Sequence, residues 1–253
     1  MLIDSPKSNF EILSRKLLIL NGVAHQHGSI LSQNNNMWKL DQGEDRTIHA
    51  SFFHFNDIIT GEDRFLEGNY KVNKHELSES LDDIMNMYHT YSLIQSFEAF
   101  KRFVKKDLSF RFIGDQSAFN STKIEVKDGG QRAKCAFDLQ AIRKGISFTY
   151  PSLCKMFGLY KTFSIEVDFG RKEKSALDIL STSYLAEEIR HSVVHGRKLE
   201  DKHAINLLTT LGFTEGVIIN EQGDVKVSKN GSFLFNQFFA RVAYYLYHAG
   251  RSL

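Results

Sequence analysis

The sequence has few of the residues that cross-link a chain or break its helices. Its 253 residues include two cysteines, Cys135 and Cys154, two prolines and one tryptophan. Two cysteines permit at most one disulfide, which excludes a disulfide-rich secreted domain and favours a reducing cytoplasm. We expect both cysteines to be small buried hydrophobic side chains. With proline scarce, the 21 phenylalanines indicate long helices that pack through aromatic rings.

A strong net charge and a long apolar run are also missing. The 32 basic and 30 acidic side chains leave a formal charge of +2, so any RNA site must be a local patch. No apolar stretch approaches the length of a membrane span. The N-terminus lacks the charged region and apolar run of a secretion signal. We therefore expect a cytoplasmic protein with no membrane partner.

The first 74 residues predict an N-terminal α/β segment whose fold and role the sequence does not define. Apolar positions from Ser8 to Leu20 predict a short helix ended by Asn21-Gly22. The polar stretch from Gly28 to Asn36 predicts a loop, and the aromatic, partly alternating stretch from Thr47 to Phe55 predicts a strand. Glycines and charges between Gly61 and Asn73 indicate a boundary, so we expect domains at residues 1–74 and 75–253.

The second domain is predicted to be mainly helical with a small β-hairpin. Ser80 and Asp83 form a capping-box pattern, and apolar residues then recur at helical spacing to Val104. A strand pair is predicted from Leu108–Ile113, Thr122–Val126 and the turn signal Asp128-Gly129-Gly130. A second helix is predicted from Cys135 to Ile146.

The remaining pattern predicts four further helices, a hairpin and one extended piece. We predict a short helix from Pro151 to Gly158 and a strand or extended linker from Ser164 to Phe169. Two helices follow, from Ser175 to His195 and from Asp201 to Gly212. The chain then forms a hairpin from Val217 to Ser228 around Gly223 and a last helix from Ser232 to His248.

Ionisable residues recur near the end of the helix predicted from Ser175 to His195. Glu187, His191 and His195 are four residues apart and therefore share one helix face. Gly196 is placed to end the helix, which puts His195 in the last turn, where the helix dipole favours a protonated imidazole. A histidine in this position can take and give a proton near neutral pH.

Arg190, four intervening residues and His195, with polar His191 after the arginine and Gly196 after the histidine, resemble the R-x(4–6)-H signature of HEPN domains. The order of motif helix, basic loop, short helix, hairpin and terminal helix is also similar, over roughly residues 75 to 253. The resemblance implies a HEPN-like helical bundle, usually a homodimer, and in many members a metal-independent ribonuclease. The paired Arg and His copies then meet at the dimer interface, and such proteins are frequent in toxin–antitoxin and phage-defence systems.

Within this resemblance the candidate catalytic residues are Arg190, His191 and His195. His195 would act as base or acid, and Arg190 would stabilise negative charge on the phosphate. His191 would be a second proton carrier or would orient the substrate. Glu187, a candidate substrate-binding residue, would hold its imidazole or be a solvated acid. The RNA 2′-hydroxyl would attack internally and leave a 2′,3′-cyclic phosphate.

Basic residues supply candidate substrate-binding positions. Arg197 and Lys198 follow the motif helix, while Lys101, Arg102, Lys105 and Lys106 lie among aromatics at the end of the long helix. Such a cluster binds phosphates beside stacked bases, or it is a solvated helix end that complements the dipole.

Three alternatives stay open. His191 and His195 have the spacing of a helical metal pair, but Ser192 stands where H-E-x-x-H motifs carry glutamate, so we expect no metal or other cofactor. Arg190 pairing with Glu187 or Glu188 would make the motif structural. A non-catalytic RNA-binding or protein-interaction module of a defence complex, including one that binds an antitoxin, retains the same bundle.

Arg190 and His195 lie about 140° apart on a helix, so shared chemistry requires an opened last turn or a twofold partner.

Overall fold

The computed structural model describes residues 5–40, 46–56, 63–72, 74–115, 117, 124–128, 131–135, 152–165, 167 and 178–249. Over these residues the protein is mainly helical with small antiparallel hairpins, which confirms the predicted fold class. The HEPN-like arrangement of the bundle stays a prediction. None of the described helices is both long and apolar enough to cross a membrane.

The described regular structure consists of helices and two-stranded hairpins. The helices are α1 (Pro6–Leu40), α2 (Lys74–Gly114), α3 (Leu153–Leu159), which continues into the 3-10 turn Tyr160–Phe163, α4 (Ile179–His195), α5 (Lys202–Thr210) and α6 (Lys229–His248). The antiparallel hairpins are β1 (Arg46–Asn56) with β2 (Asp63–Val72), β3 (Ile124–Asp128) with β4 (Gln131–Cys135), and β5 (Val217–Ile219) with β6 (Val225–Val227).

The chain divides into two compact units. One unit contains Met1–Ala24 and Met87–Leu253, and the other contains His25–Asn86. The smaller unit includes the β1–β2 hairpin, whose register runs from Arg46 opposite Val72 to Asn56 opposite Asp63. Both divisions fall inside a helix, one in α1 and one in α2. They do not test the predicted domain boundary between residues 74 and 75, which stays a prediction.

The N-terminal segment contains the predicted helix and strand, but its helix is longer than expected. Strand β1 confirms the prediction from Thr47 to Phe55. Helix α1 passes Asn21-Gly22 and continues through the stretch from Gly28 to Asn36, so the predicted helix end and loop are wrong. Glycine and polar residues have only a modest intrinsic cost inside a helix, so their presence alone does not end one.

Helix α2 replaces one predicted strand. It begins at Lys74, before the predicted start at Ser80, and includes Leu108–Ile113. Leu108 and Phe112 are both fully buried, so the apparent alternation is one helical stripe at four-residue spacing. A hairpin does exist at the predicted turn, but β3 pairs with β4, which follows that turn.

The region after β3 is described only in part. Cys135 ends β4 and does not begin the predicted helix, whose remaining residues to Ile146 lie outside the described residues. Ser164 has a left-handed φ of 57° at the end of the 3-10 turn, so the predicted extended segment does not begin there. Ile165 and Val167 form no regular element, and the other residues of that segment to Phe169 lie outside the described residues. Helix α3 lies within the predicted stretch from Pro151 to Gly158, except that it ends one residue later, at Leu159.

The C-terminal elements agree with their local sequence signals. The side chain of Asp201 accepts a hydrogen bond from the Ala204 N–H at 2.9 Å and caps α5 as predicted. The β5–β6 hairpin has Gly223 in its turn with φ of 86°, a left-handed value that favours glycine. Helix α6 begins three residues earlier than predicted and ends at His248 as expected.

Aromatic rings hold the larger unit together, as the phenylalanine content predicts. Phe100 of α2 stacks on Phe239 of α6 with ring centroids 4.9 Å apart, and it also meets Phe157 of α3. Phe97 packs against the same Phe239 edge to face. Phe10 of α1 reaches this assembly through Phe103 of α2. Four helices thus share one core, against which α4 also buries Leu185 and Ile189.

Two glycines join the β5–β6 hairpin to the first turn of α6. A Cβ atom added to Gly231 would lie 2.0 Å from the Gly216 carbonyl oxygen, far inside van der Waals contact. The same oxygen accepts a hydrogen bond from the Ser228 N–H at 2.9 Å. The close backbone approach therefore requires glycine at this position.

We expect Gly231→Ala to lower the free energy of unfolding by about 1–3 kcal/mol, because the new methyl group must displace backbone. Gly158→Ala is the matched control, since nothing lies within 4 Å of its added Cβ atom. Urea unfolding followed by circular dichroism measures both. A Gly231→Ala protein as stable as the wild type would contradict the close approach.

Candidate active site

Helix α4 begins and ends at well-formed caps. The Asp178 side chain accepts hydrogen bonds from the Ser181 N–H at 2.9 Å and from the Ser181 hydroxyl at 2.5 Å. At the other end Gly196 has φ of 57°, and the Arg197 N–H donates to the Ser192 carbonyl at 2.8 Å. These are the bonds of a glycine-terminated helix. The predicted helix end is confirmed, and His195 is the last residue of α4.

The two motif histidines lie on the solvent side of α4. Ile189 and Ser192 are buried, whereas His191 and His195 are exposed. The imidazole rings of the two histidines have centroids 5.3 Å apart and planes inclined by 40°. The structure therefore brings together two predicted proton carriers at a position that a substrate can reach.

Arg190 is directed towards helix α2 instead. Its Nε donates a hydrogen bond to Glu98 Oε1 at 2.9 Å. The partner is neither Glu187 nor Glu188, the two local candidates considered from sequence. This bond uses one of the five N–H donors of a guanidinium group, and both side chains are partly exposed.

Glu187 joins three helices. Its Oε1 accepts a hydrogen bond from Lys101 Nζ at 2.9 Å, and its Oε2 accepts one from the Leu153 N–H at 3.2 Å. The carboxylate thus compensates a lysine of α2 and the positive end of α3. Both oxygens are engaged away from His191, so the bonds observed for Glu187 do not hold that imidazole.

The two ion pairs fix the relative direction of α2 and α4. Glu98 pairs with Arg190, and three residues later along α2 Lys101 pairs with Glu187, three residues earlier along α4. The two helices therefore run antiparallel along this seam, which we call the α2–α4 seam. Arg190 faces the seam while His195 faces solvent, as their separation along the helix requires.

The predicted substrate-binding residues form two separate groups. Arg197 and Lys198 are exposed directly after α4, and the Leu199 N–H bonds to the Gly223 carbonyl at 3.0 Å, which attaches this loop to the hairpin turn. Lys101 lies level with Glu187, so continuing the antiparallel register places Lys105 about 18 Å along α4 from His195.

The second group has its own electrostatic character. Arg102 is exposed, while Lys105 and Lys106 are half-buried. Burial, with the nearby charge of Arg102, lowers the pKa of Lys105. Lys101 is the member of this group that the structure brings to Glu187, and the others extend away from the two histidines.

Sequence reasoning missed a second set of ionisable groups beside His191. The Tyr184 hydroxyl donates to Asp201 Oδ2 at 2.9 Å, and the His203 ring lies 5.3 Å from the Tyr184 ring. Glu188 interacts electrostatically with both His191 and Asp201. The signal was present, because residues 184, 188, 191 and 195 recur at four-, three- and four-residue steps along one helix face.

The pKa values of Tyr184, Glu188 and Asp201 depart from their ordinary values. Burial raises the pKa of Glu188, opposed by the charge of His191. Burial and the hydrogen bond to Asp201 raise the pKa of Tyr184 to about 12. The Ala204 N–H and then the Tyr184 hydroxyl lower the pKa of Asp201. Glu188 is thus a carboxyl group whose charge acts on that of His191, while the hydrogen bonds of Glu187 go to Lys101 and Leu153.

The described residues contain no group of three or more histidine, cysteine or acidic side chains arranged to hold a metal ion. Comparison of the chain with protein-family models, with curated proteins and with solved structures finds no match. The geometry of α4 and its neighbours is thus the basis for any functional conclusion.

We expect Glu187→Gln to lower the free energy of unfolding by roughly 1–3 kcal/mol, because it removes the charged partner of Lys101 where that partner is 12% exposed. Glu98→Gln is the matched control at the other ion pair, where the carboxylate is 42% exposed, and should cost about 0–1 kcal/mol. Chemical denaturation compares the two. Equal losses would contradict a seam organised around Glu187.

Cys154 gives a second test of this region. It is a free, half-buried thiol whose Sγ lies 3.5 Å from the Leu180 carbonyl oxygen. Burial, assisted by the charge of Glu187, raises the pKa of Cys154 to about 11. In a Cys135→Ser background we expect slow reaction with a disulfide reagent at pH 8, because the thiolate is the nucleophile.

The same shift has a sign for stability. The folded chain retains the thiol proton at pH values where the unfolded chain has released it, so the contribution of Cys154 falls as the pH rises towards 11. The control for the thiol reaction is the same protein unfolded in urea, in which Cys154 should react rapidly with the disulfide reagent. Equal rates in both states would contradict the burial.

Proposed function

We propose that this chain is a metal-independent endoribonuclease of HEPN type that acts as a homodimer. The observation that supports the proposal best is the exposed pair His191 and His195, with ring centroids 5.3 Å apart, one and five residues after Arg190 in the last turns of α4. We also propose a cytoplasmic role in a toxin–antitoxin or phage-defence system, with an antitoxin or another defence component as partner. This context comes from the resemblance of the motif.

The chemistry requires three groups. One histidine removes the proton of the RNA 2′-hydroxyl, whose oxygen attacks the adjacent phosphorus and forms a 2′,3′-cyclic phosphate. The second histidine protonates the departing 5′-oxygen, and Arg190 stabilises the charge on the non-bridging oxygens. His195 and His191 would supply the two imidazoles, and the charge of Glu188 interacts with that of His191.

A single chain does not present these groups to one phosphate, which is why the proposal includes a dimer. Arg190 faces the α2–α4 seam and His195 faces solvent. Exposed apolar side chains share the helix faces of the two ion-paired residues by periodicity, Met87 and Tyr91 that of Glu98 on α2 and Val194 that of Arg190 on α4. A twofold contact that covers them would bring the Arg190 of one chain towards the His195 of the other.

The substrate-binding residues follow from this arrangement. Arg197 and Lys198 extend the cationic surface from the end of α4, next to His195. Arg102, Lys105 and Lys106 would bind phosphates farther along the strand, and Lys101 would do so when it leaves Glu187.

A non-catalytic interaction module is the second candidate. It is favoured by the Arg190–Glu98 ion pair, which neutralises within the protomer the charge that catalysis needs. In this case α4 would bind RNA or a protein partner of a defence complex without cleavage.

We expect purified protein to cleave single-stranded RNA in the presence of EDTA and to leave 2′,3′-cyclic phosphate ends. Arg190→Ala and His195→Ala should each lower the rate by about 100-fold or more, because they remove charge stabilisation and proton transfer. Arg15→Ala, on the exposed side of α1, is the control for loss of an arginine. Binding without cleavage would support the interaction module, and activity abolished by EDTA would overturn the metal-independent mechanism.

Mixing the two inactive chains tests the shared site. If Arg190 and His195 act across a dimer, random exchange of Arg190→Ala and His195→Ala chains should restore about a quarter of the wild-type activity, since half the dimers hold one intact pairing. A mixture as inactive as its components would rule out a site formed between chains.

A further inference from the structure

The solvent face of helix α6 carries both cationic and aromatic side chains. The core stripe of this helix is Phe235, Phe238, Phe239, Val242 and Leu246. On the other side Lys229, Phe233, Gln237, Arg241 and Tyr244 are exposed and His248 is half-buried. We call these six outward residues the α6 platform.

The two aromatic rings of the α6 platform are aligned along the helix. Phe233 and Tyr244 are eleven residues apart, which corresponds to about 20° around the helix and about 16 Å along it. Gln237 and Arg241 lie between them on the same side, and Lys229 precedes them. The platform is therefore a narrow strip of rings and hydrogen-bond donors, with the length of a few nucleotides.

The Tyr244 ring is positioned by its neighbours although it is 59% exposed. Its centroid lies 6.2 Å from that of Phe10 and 4.3 Å from that of His248, and Phe10 itself stacks on Tyr247 at 4.9 Å. Phe233 is 49% exposed. A ring held in place with an open surface loses little conformational freedom when a flat ligand stacks on it.

The charge of this part of the chain is uniformly positive. Helix α6, Lys229–His248, contains Lys229 and Arg241 and no aspartate or glutamate, so two positive charges less none give +2, as much as the net charge of the whole chain. On α1, next to Phe10, the Glu11 Oε1 lies 4.0 Å from the Lys7 Nζ, so this turn of α1 adds no net charge. The nearly neutral chain thus has a local cationic strip.

We propose that the α6 platform binds single-stranded RNA, with bases stacked on Phe233 and Tyr244 and phosphates bound by Lys229 and Arg241. Aromatic rings interleaved with cations match a polymer whose bases are flat and whose backbone is anionic. Only unpaired bases offer their faces to such rings. The proposal rests on the proposed nuclease function in identifying the bound strand as its substrate.

A protein occupant fits the platform less well. The centres of protein interfaces are enriched in aromatic residues and arginine but depleted of lysine, and they are more apolar than the rim. Here Gln237 and Arg241 separate the two rings, and Lys229 lies at one end. Spacing and charge both favour a polyanion.

The test is fluorescence anisotropy with a labelled single-stranded 2′-O-methyl oligonucleotide of about 12 residues, which covers the platform and has no free 2′-hydroxyl to react. We expect Phe233→Ala and Tyr244→Ala each to weaken binding by about fivefold or more, the effect of losing one stacked base. Arg241→Glu should weaken binding and reduce its dependence on salt. The duplex of the same sequence should bind more weakly than the single strand.

Matched controls on α1 are Leu18→Ala, whose side chain is exposed, and Arg15→Glu. They should bind as the wild type does, and circular dichroism establishes that every variant is folded. Wild-type affinity in the three platform variants, or a duplex bound as tightly as the single strand, would overturn the proposal. A change of solution mass in the platform variants without a change in binding would identify an interface between copies and would also overturn it.

This experiment is independent of cleavage. If the oligonucleotide binds through the α6 platform and no RNA is cut, the nuclease proposal fails and the platform stands. If RNA is cut and the platform variants bind and cut as the wild type does, the platform fails and the nuclease proposal stands.

Discussion

Two ion pairs of opposite polarity across the α2–α4 seam determine what helix α4 presents to solvent. Glu187 is the central group, because its carboxylate accepts hydrogen bonds from Lys101 of α2 and from the Leu153 N–H in the first turn of α3. Glu187 and Arg190 are directed towards neighbouring helices, and Thr182, Ser183 and Ser192 are buried, whereas His191 and His195 face outward. The positions of His191 and His195 follow from this rotation of the helix.

The electrostatics of the site depend on the same constraint. Arg190 donates to Glu98, so a phosphate would have to compete with that carboxylate or use the other donors of the guanidinium. On the outward side, burial raises the pKa of Glu188, whose charge interacts with that of His191. Tyr184 and Asp201 extend this polar network to the first turn of α5. The cation and the proton carriers are thus separated within one chain, which is the physical basis for proposing a dimer.

The aromatic core explains how these helices can hold a polar seam at their surface. Phe100 and Phe239 stack at the centre, and rings from α1, α2 and α3 surround them. Apolar burial of this kind is non-directional, so it brings helices together without fixing their rotation. The charged pairs and the glycine contact between Gly216 and Gly231 supply the directional part.

The sequence by itself determined the elements that depend on neighbours along the chain. The end of α4 at Gly196, the cap of α5 at Asp201 and the turn at Gly223 each follow from one residue and the few around it. Only the tertiary structure decided that α1 continues past Gly22, that Leu108 and Phe112 belong to one helix, and that Arg190 pairs with Glu98, 92 positions away. A helical side chain has several possible partners at similar local cost, and the element that packs beside it selects among them.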